Sequence, residues 1–185
     1  MLRTIFFCII CFLSLSTMAQ GTALPSARKR AVYGKNYYVA PSRYDYRGVA
    51  REITEGKKTK YDKAQALYMW ICSHIRYDHS NTLRTADECW DNGKAVCQGI
   101  CELYYRMGRS IGLKPKLVMG MAKNIRSGEM ERHAWLTVKT EKGLIMLDPT
   151  WGAALSFHNE WTHLPDPLNW FDVDMEEFSK THSPS

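Results

Sequence analysis

Between Lys60 and Ile75 the apolar side chains fall at Ala64, Leu67, Tyr68, Ile71 and Ile75, in steps of three and four. That spacing lays one apolar stripe along a helix, and Trp70 widens it. Thr59 stands just before the stripe with Asp62 three residues on, a pattern in which a side-chain oxygen caps the first turn, so a helix is predicted over 60–75. Thr85-Ala-Asp-Glu88 repeats the capping pattern and opens a short helix to about Trp90-Asp91, closed by the turn pair Asn92-Gly93. A third stripe, Ile100, Cys101, Leu103, Tyr104, Met107 and Ile111, predicts a helix that starts near Cys97. Gly112 fits its left-handed stop and Pro115 follows shortly after. This helix is expected at the centre of the core.

Beyond Pro115 the period changes to two. Lys116 to Ala122 reads as a strand, His133 to Lys139 alternates, and Leu144 to Asp148 returns after a turn at Gly143, until Pro149 ends the ladder. Helices followed by a strand meander predict an α+β fold, with N-terminal helices packed on an antiparallel sheet. Nothing marks a second domain. The organisation expected is a segment 1–19 that is removed, an extended leader over 20–58, a core over 59–152, and an aromatic-rich cover of the same domain over 153–185.

Composition narrows the class. The chain has 185 residues, 45% of them hydrophobic and 24% charged, with six tryptophans, ten tyrosines and six phenylalanines. That is enough apolar surface for one ordinary domain, and it excludes disorder as the main state. No repeat period or heptad run is present. The net charge of +6 comes from scattered residues rather than a basic face with interleaved aromatics, so nucleic acid is not an expected partner. Met1-Leu2-Arg3 precedes an apolar run from Thr4 to Ser16, and Thr17-Met18-Ala19 offers small residues before a cut at Ala19/Gln20. This is the plan of a secretory signal peptide, and the run is too short for a stable membrane anchor. Export is therefore expected, to the periplasm, the cell surface or the medium, with no membrane span left after cleavage. Four cysteines would remain: Cys72, Cys89, Cys97 and Cys101. An oxidising compartment permits bridges, and Cys72 and Cys89 are the best-placed pair.

Candidate chemistry gathers at three places. Cys97 lies at the start of the buried helix, where free N–H groups and the helix dipole favour thiolate and can hold an oxyanion. His133 heads one strand of the hairpin and suits the base that takes the thiol proton. Asp148 ends the next strand and suits the carboxylate that orients the imidazole. A four-residue loop from Thr140 to Gly143 pairs Lys139 with Leu144. Asp148 then lies diagonally from His133 on the same face, about 7–8 Å away between α-carbons. Trp135 shares that face and either walls a cleft or fills core, while Gln98 either reaches substrate or serves the helix. Cys101 is expected to pack in the core; a Cys97–Cys101 redox pair is the alternative. No metal or cofactor is expected: no second ligand pair matches Cys97 and Cys101 in spacing, His74/His79 and His158/His163 lack ligand spacing on a helix, and no loop carries closely spaced carboxylates.

These residues, taken in order, resemble the transglutaminase-like superfamily. The resemblance rests on Cys97-Gln-Gly before an apolar helix ending at Gly112, Val118-Met-Gly120, His133-Ala-Trp, and Leu147-Asp-Pro-Thr-Trp-Gly152, with Ile71 to Asp78 upstream. The tail from Trp170 to His182 is similar to the end of bacterial relatives of kyphoscoliosis peptidase. The resemblance implies a papain-like fold and a triad of Cys97, His133 and Asp148. It also implies an upstream aromatic that helps hold the oxyanion, carried over to Tyr77, with Trp90 as second choice; a tyrosine here stands where the family more often has tryptophan. The function implied is cysteine-dependent acyl transfer on a protein or peptide substrate, by hydrolysis or by transamidation. The alternative is a binding or scaffold module on the same fold.

Overall fold

The computed structural model describes residues 31–33, 37–39, 42–124, 127–156 and 166–185. The apolar run of 1–19 with its expected cut, and Phe157, His158, Trp161 and His163, lie outside the described residues.

A small antiparallel pair, β1 (Ala31–Tyr33) and β2 (Tyr37–Val39), precedes the domain body. Three helices follow: α1 (Arg47–Ile53), α2 (Lys60–His74) and, after the two-residue strand β3 (Arg76–Tyr77), α3 (Ala86–Asn92). Strand β4 (Lys94–Ala95) pairs in parallel with β3 and leads directly into α4 (Cys97–Ser110). Then come β5 (Pro115–Lys123), β6 (Met130–Thr140), β7 (Gly143–Leu147), α5 (Pro149–Ser156), a 3-10 turn (Pro167–Trp170), α6 (Met175–Ser179) and β8 (His182–Pro184). The sheet order is β7-β6-β5-β8, antiparallel throughout. A mixed helix-and-antiparallel-sheet domain is the fold class the sequence predicts.

The helices form where their caps and stripes require. Thr59 Oγ1 accepts from the Asp62 N–H at 3.0 Å, and α2 buries Ala64, Leu67, Tyr68 and Ile71. Thr85 and Glu88 exchange hydrogen bonds at both ends of a capping box. Helix α4 buries Ile100, Cys101, Leu103, Tyr104 and Met107 against the sheet, each large apolar side chain contributing about 1.5–3 kcal/mol. Gly112, at φ +87°, turns the chain after α4. One expectation needs correction. The segment expected to run extended as far as residue 58 contains α1, whose Ala50, with Tyr46 just before the helix, is buried in the core.

The hairpin has the expected register, Lys139 opposite Leu144. Strand β6 starts earlier than expected, so His133 is its fourth residue rather than its head. It is also buried on both faces from His133 to Val138. Ala134, Leu136 and Val138 belong to the core shared with α4. His133 and Trp135 point the other way, and Trp135 meets Phe178 of α6 and His182 of β8. Of the expected aromatic cover, Trp151 packs edge-on against Trp170, and Phe171 packs against Tyr61 and Tyr68.

Two glycines allow these layers to touch. A Cβ on Gly152 would lie 2.1 Å from the Tyr68 hydroxyl, and one on Gly120 would lie 2.2 Å from the Ser183 carbonyl and 2.6 Å from the Trp135 ring. Gly48, in α1, has open space instead. Gly120→Ala and Gly152→Ala are each expected to cost about 1–3 kcal/mol or more by overpacking. Gly48→Ala is expected to gain about 0.5–1 kcal/mol from helix propensity. Denaturant titration of the three variants measures this contrast.

Candidate active site

Helix α4 begins at Cys97, with Val96 as an N-cap that supplies no side-chain hydrogen bond. The first-turn N–H groups are therefore left to other acceptors, and their partial positive charge surrounds the thiol. The close approach that starts this helix depends on Gly99: a Cβ there would fall 2.7 Å from the Ala95 Cβ and 3.1 Å from the Thr85 carbonyl oxygen. Of the four free thiols described, Cys97 alone is half-buried; Cys72, Cys89 and Cys101 are buried. Cys72 and Cys89, the pair the sequence favoured for a bridge, are separate thiols. Burial pushes the Cys72 thiol up to about 12 and drives Cys89 and Cys101 upward as well. Cys101 donates its S–H to the Ala134 carbonyl at 3.2 Å, which makes it a packing residue rather than half of a redox pair.

Strand β7 ends at Leu147, so Asp148 is not a strand residue. It is the N-cap of α5, with Pro149 in the first helical position, where a missing N–H costs nothing. Its Oδ1 accepts from the Thr150 N–H at 2.9 Å and the Trp151 N–H at 3.1 Å. Its Oδ2 meets His133 Nε2 at 2.7 Å. Because the β6–β7 register carries Asp148 to the level of Trp135, the carboxylate reaches diagonally to His133 on the same face. With Nε2 on the carboxylate, Nδ1 is the nitrogen left for Cys97, the other side-chain partner of this imidazole. Asp148 has no exposed surface and His133 almost none. Burial favours the neutral imidazole, but the Asp148 charge, its hydrogen bond and the Cys97 contact outweigh burial and push His133 up to about 10. Burial likewise opposes the Asp148 charge, and the two imidazoles facing it overcome that and hold the carboxyl well below its usual range.

The two-strand pair β3–β4 sets Tyr77 opposite Ala95, two residues before Cys97. Burial first, and then the proximity of Cys97, raises the Tyr77 phenol. The turn after Tyr77 is organised by Asp78, whose carboxylate accepts from the Ser80 hydroxyl at 2.6 Å and from the Thr82 and Leu83 N–H groups at 3.0 and 3.1 Å. These bonds, the Ser80 hydroxyl first, hold its carboxyl below the ordinary range. Gln98 donates from Nε2 to Glu102 at 3.2 Å along the helix, so its side chain is committed to the protein. Trp135 is wholly enclosed under the His133 ring, 6.4 Å between centroids, and fills core rather than walling a cleft. Trp90 packs among Tyr44, Tyr46 and Trp70.

Sequence reasoning missed His182. It lies in β8, is buried, and brings its Nε2 within 3.2 Å of the same Asp148 oxygen. The only signal was its place at the end of the tail resemblance. His133, Asp148 and His182 are also the described side chains whose ligand atoms gather closely enough to suggest an ion. The 2.7 Å between His133 Nε2 and Asp148 Oδ2 is that of a charge-assisted hydrogen bond.

The profile of the transglutaminase-like superfamily matches residues 47–149, a span that includes Cys97, His133 and Asp148 and stops before His182. Kyphoscoliosis peptidase of Homo sapiens is 26% identical over 152 residues, covering 64% of this chain and 23% of that protein. Its counterpart in Mus musculus is 28% identical over the same shares. The chain thus spans under a quarter of the length of these relatives. A candidate cysteine protease from Cytophaga hutchinsonii superposes with a TM-score of 0.52 at 19% identity, over 72% of this chain and 43% of that one, a likeness of fold. The ordered motifs, the antiparallel sheet behind α4 and the matched span together make this chain a member of the transglutaminase-like superfamily.

Proposed function

We propose that the protein is an exported cysteine-dependent acyl-transfer enzyme that hydrolyses amide bonds in a protein or peptide. The observation that carries this reading is one buried imidazole held between the Asp148 carboxylate at 2.7 Å and the thiol at the head of α4. The peptidase relatives favour hydrolysis over cross-linking. The Cys97 thiolate attacks the amide carbonyl, and a C–S bond forms as the carbonyl oxygen becomes an oxyanion. The Cys97 N–H and the Tyr77 hydroxyl donate to that oxygen. The His133 imidazolium gives its proton to the leaving amine as the C–N bond breaks, which leaves a thioester. His133 then takes a proton from water, whose oxygen attacks the thioester and releases the acid and Cys97; an amine in place of water gives transamidation. Asp148 holds the ring in the tautomer these transfers need.

The protonation pattern sets the pH range. A raised His133 keeps its proton, and with it the partner of a thiolate, until the pH rises through about 10. Alkylation of the native protein by iodoacetamide, with mass mapping, is expected to label Cys97 in preference to the three buried thiols and to show an upper inflection near pH 10, where His133 gives up its proton. In His133→Ala that upper inflection is expected to be absent. If wild-type Cys97 behaves like the His133→Ala thiol, the enzyme reading fails and a binding module on the same fold takes its place.

In a peptide-hydrolysis assay, Cys97→Ala is expected to abolish turnover. Asp148→Asn is expected to lower kcat about 10²–10⁴-fold, and Tyr77→Phe about 10²–10³-fold through loss of one oxyanion donor. Export is checked separately: N-terminal sequencing of protein recovered outside the cytoplasm is expected to begin at Gln20.

A further inference from the structure

We propose that His182 is a positioning residue of this site: a second imidazole on Asp148 Oδ2 that shares the carboxylate with His133 and makes the site's proton chemistry depend on the seating of β8. The inference rests on the triad reading above and adds a residue outside the matched span.

The surroundings of His182 are those of an apolar side chain. Its ring stacks on Phe178 at 3.8 Å and 18°, lies 4.5 Å from Trp151 and meets Trp135 edge-on at 5.0 Å. A phenylalanine would fill this nest without the desolvation cost of burying two ring nitrogens. Both nitrogens are in use, however. Nε2 faces Asp148 Oδ2 at 3.2 Å and must carry a hydrogen to do so, while Nδ1 bonds the Thr181 hydroxyl at 2.8 Å. Oδ2 therefore receives two imidazole N–H groups, and Oδ1 receives the two backbone N–H groups of α5.

The seating of His182 depends on β8. Ala122 pairs with His182 and Gly120 with Pro184, and the Lys123 N–H donates to the Thr181 carbonyl at 2.9 Å. Gly120 pairs on its other side with His133, so both histidines rise from the same face of the sheet. The missing Cβ of Gly120 is what lets the Ser183 and Pro184 backbone in.

The consequence has a definite sign. If the His182 N–H is removed, Oδ2 serves His133 alone. The carboxylate charge is then less shared, and the imidazolium holds its proton more tightly. The α5 N–H groups still seat the carboxylate, so the effect falls on proton affinity rather than on assembly of the site. The other titratable groups felt by Asp148 are Cys101 of α4 and Tyr68 and Cys72 of α2, while Cys97 faces His133. Burial keeps the protons on Cys101, Tyr68 and Cys72.

The test compares His182→Phe, which fills the nest without a donor, with His182→Gln, which restores an N–H. The measurement is the pH profile of Cys97 alkylation by iodoacetamide, with the thermal midpoint followed in parallel. The Phe variant is expected to fold and to move the upper inflection upward by about 0.5–1 pH unit. The Gln variant is expected to return it toward wild type. An unmoved inflection in a folded Phe variant, or a Gln variant that matches Phe, overturns the proposal and leaves His182 a packing residue. A wild-type profile identical to that of His133→Ala overturns the triad reading itself. Should the Phe variant fail to fold, NMR of wild-type protein labelled with ¹⁵N-histidine decides. An Nε2–H signal protected from exchange is expected from each of His133 and His182; a His182 lacking one overturns the inference.

Discussion

The Asp148 carboxylate is the constraint on which the rest of the structure turns. It is a charge with no exposed surface, and a buried ion costs several kcal/mol unless its oxygens are fully paired. Here each oxygen has two donors: the first turn of α5 on one side and two imidazoles on the other. Strand β7, helix α5, strand β6 and strand β8 thus converge on one group. The stretch Leu147-Asp-Pro-Thr-Trp-Gly152 reads as a single device around it. Asp148 caps the helix, Pro149 starts it, Thr150 and Trp151 donate to the cap, and Gly152 lets it lie against Tyr68 and Cys72 of α2.

The site lies where two layers with different electrostatic character meet. The helical layer contributes a thiol at the positive end of α4, with Tyr77 brought alongside by the β3–β4 pair. The sheet layer contributes an imidazole biased toward its charged form by a buried anion. Neither half suffices for the proposed chemistry: without the anion a buried imidazole would favour its neutral form, and without Cys97 the imidazole would have no thiol beside it. The contrast among the four thiols shows how strongly position decides. Cys101 is one turn from Cys97 on the same helix, yet it is enclosed and bonded to the Ala134 carbonyl.

Features with local causes were legible in the sequence. Helices α2, α3 and α4 announce themselves by caps and apolar steps, and the β6–β7 register follows from the length of the turn at Glu141-Lys142. Cys97, His133 and Asp148 could be brought together because His133 sits on that hairpin and Asp148 follows directly on its second strand. Features whose causes are remote were not legible. Helix α1 lies in a stretch dominated by tyrosines and exposed arginines, and its burial rests on α1 lying against α4 and α2 while Tyr46, just before it, meets Asp87 and Trp90 of α3. The alternation of β6 leaves Trp135 either walling a cleft or filling core; the tail covers its face, and only the tertiary fold shows that it is enclosed. A three-residue strand such as β8 carries no period at all, and a histidine between threonine and serine reads as surface until its partner is known.

That last miss follows from how the sheet is finished. Strand β5 would otherwise present an unpaired edge, which proteins protect by pairing or by cover. Here the protecting strand also delivers a polar ring into the space beside His133 and Asp148. The close contact at Gly120 serves both purposes, since a side chain there would hold β8 off the edge and withdraw His182 from Asp148 together. Edge protection and the electrostatics of the site therefore share the same few contacts. Loosening β8 would weaken the sheet edge and change the charge environment of His133 in one step. This follows from geometry alone, because Ala122 and Gly120 seat on one strand the residues that face His182 and His133.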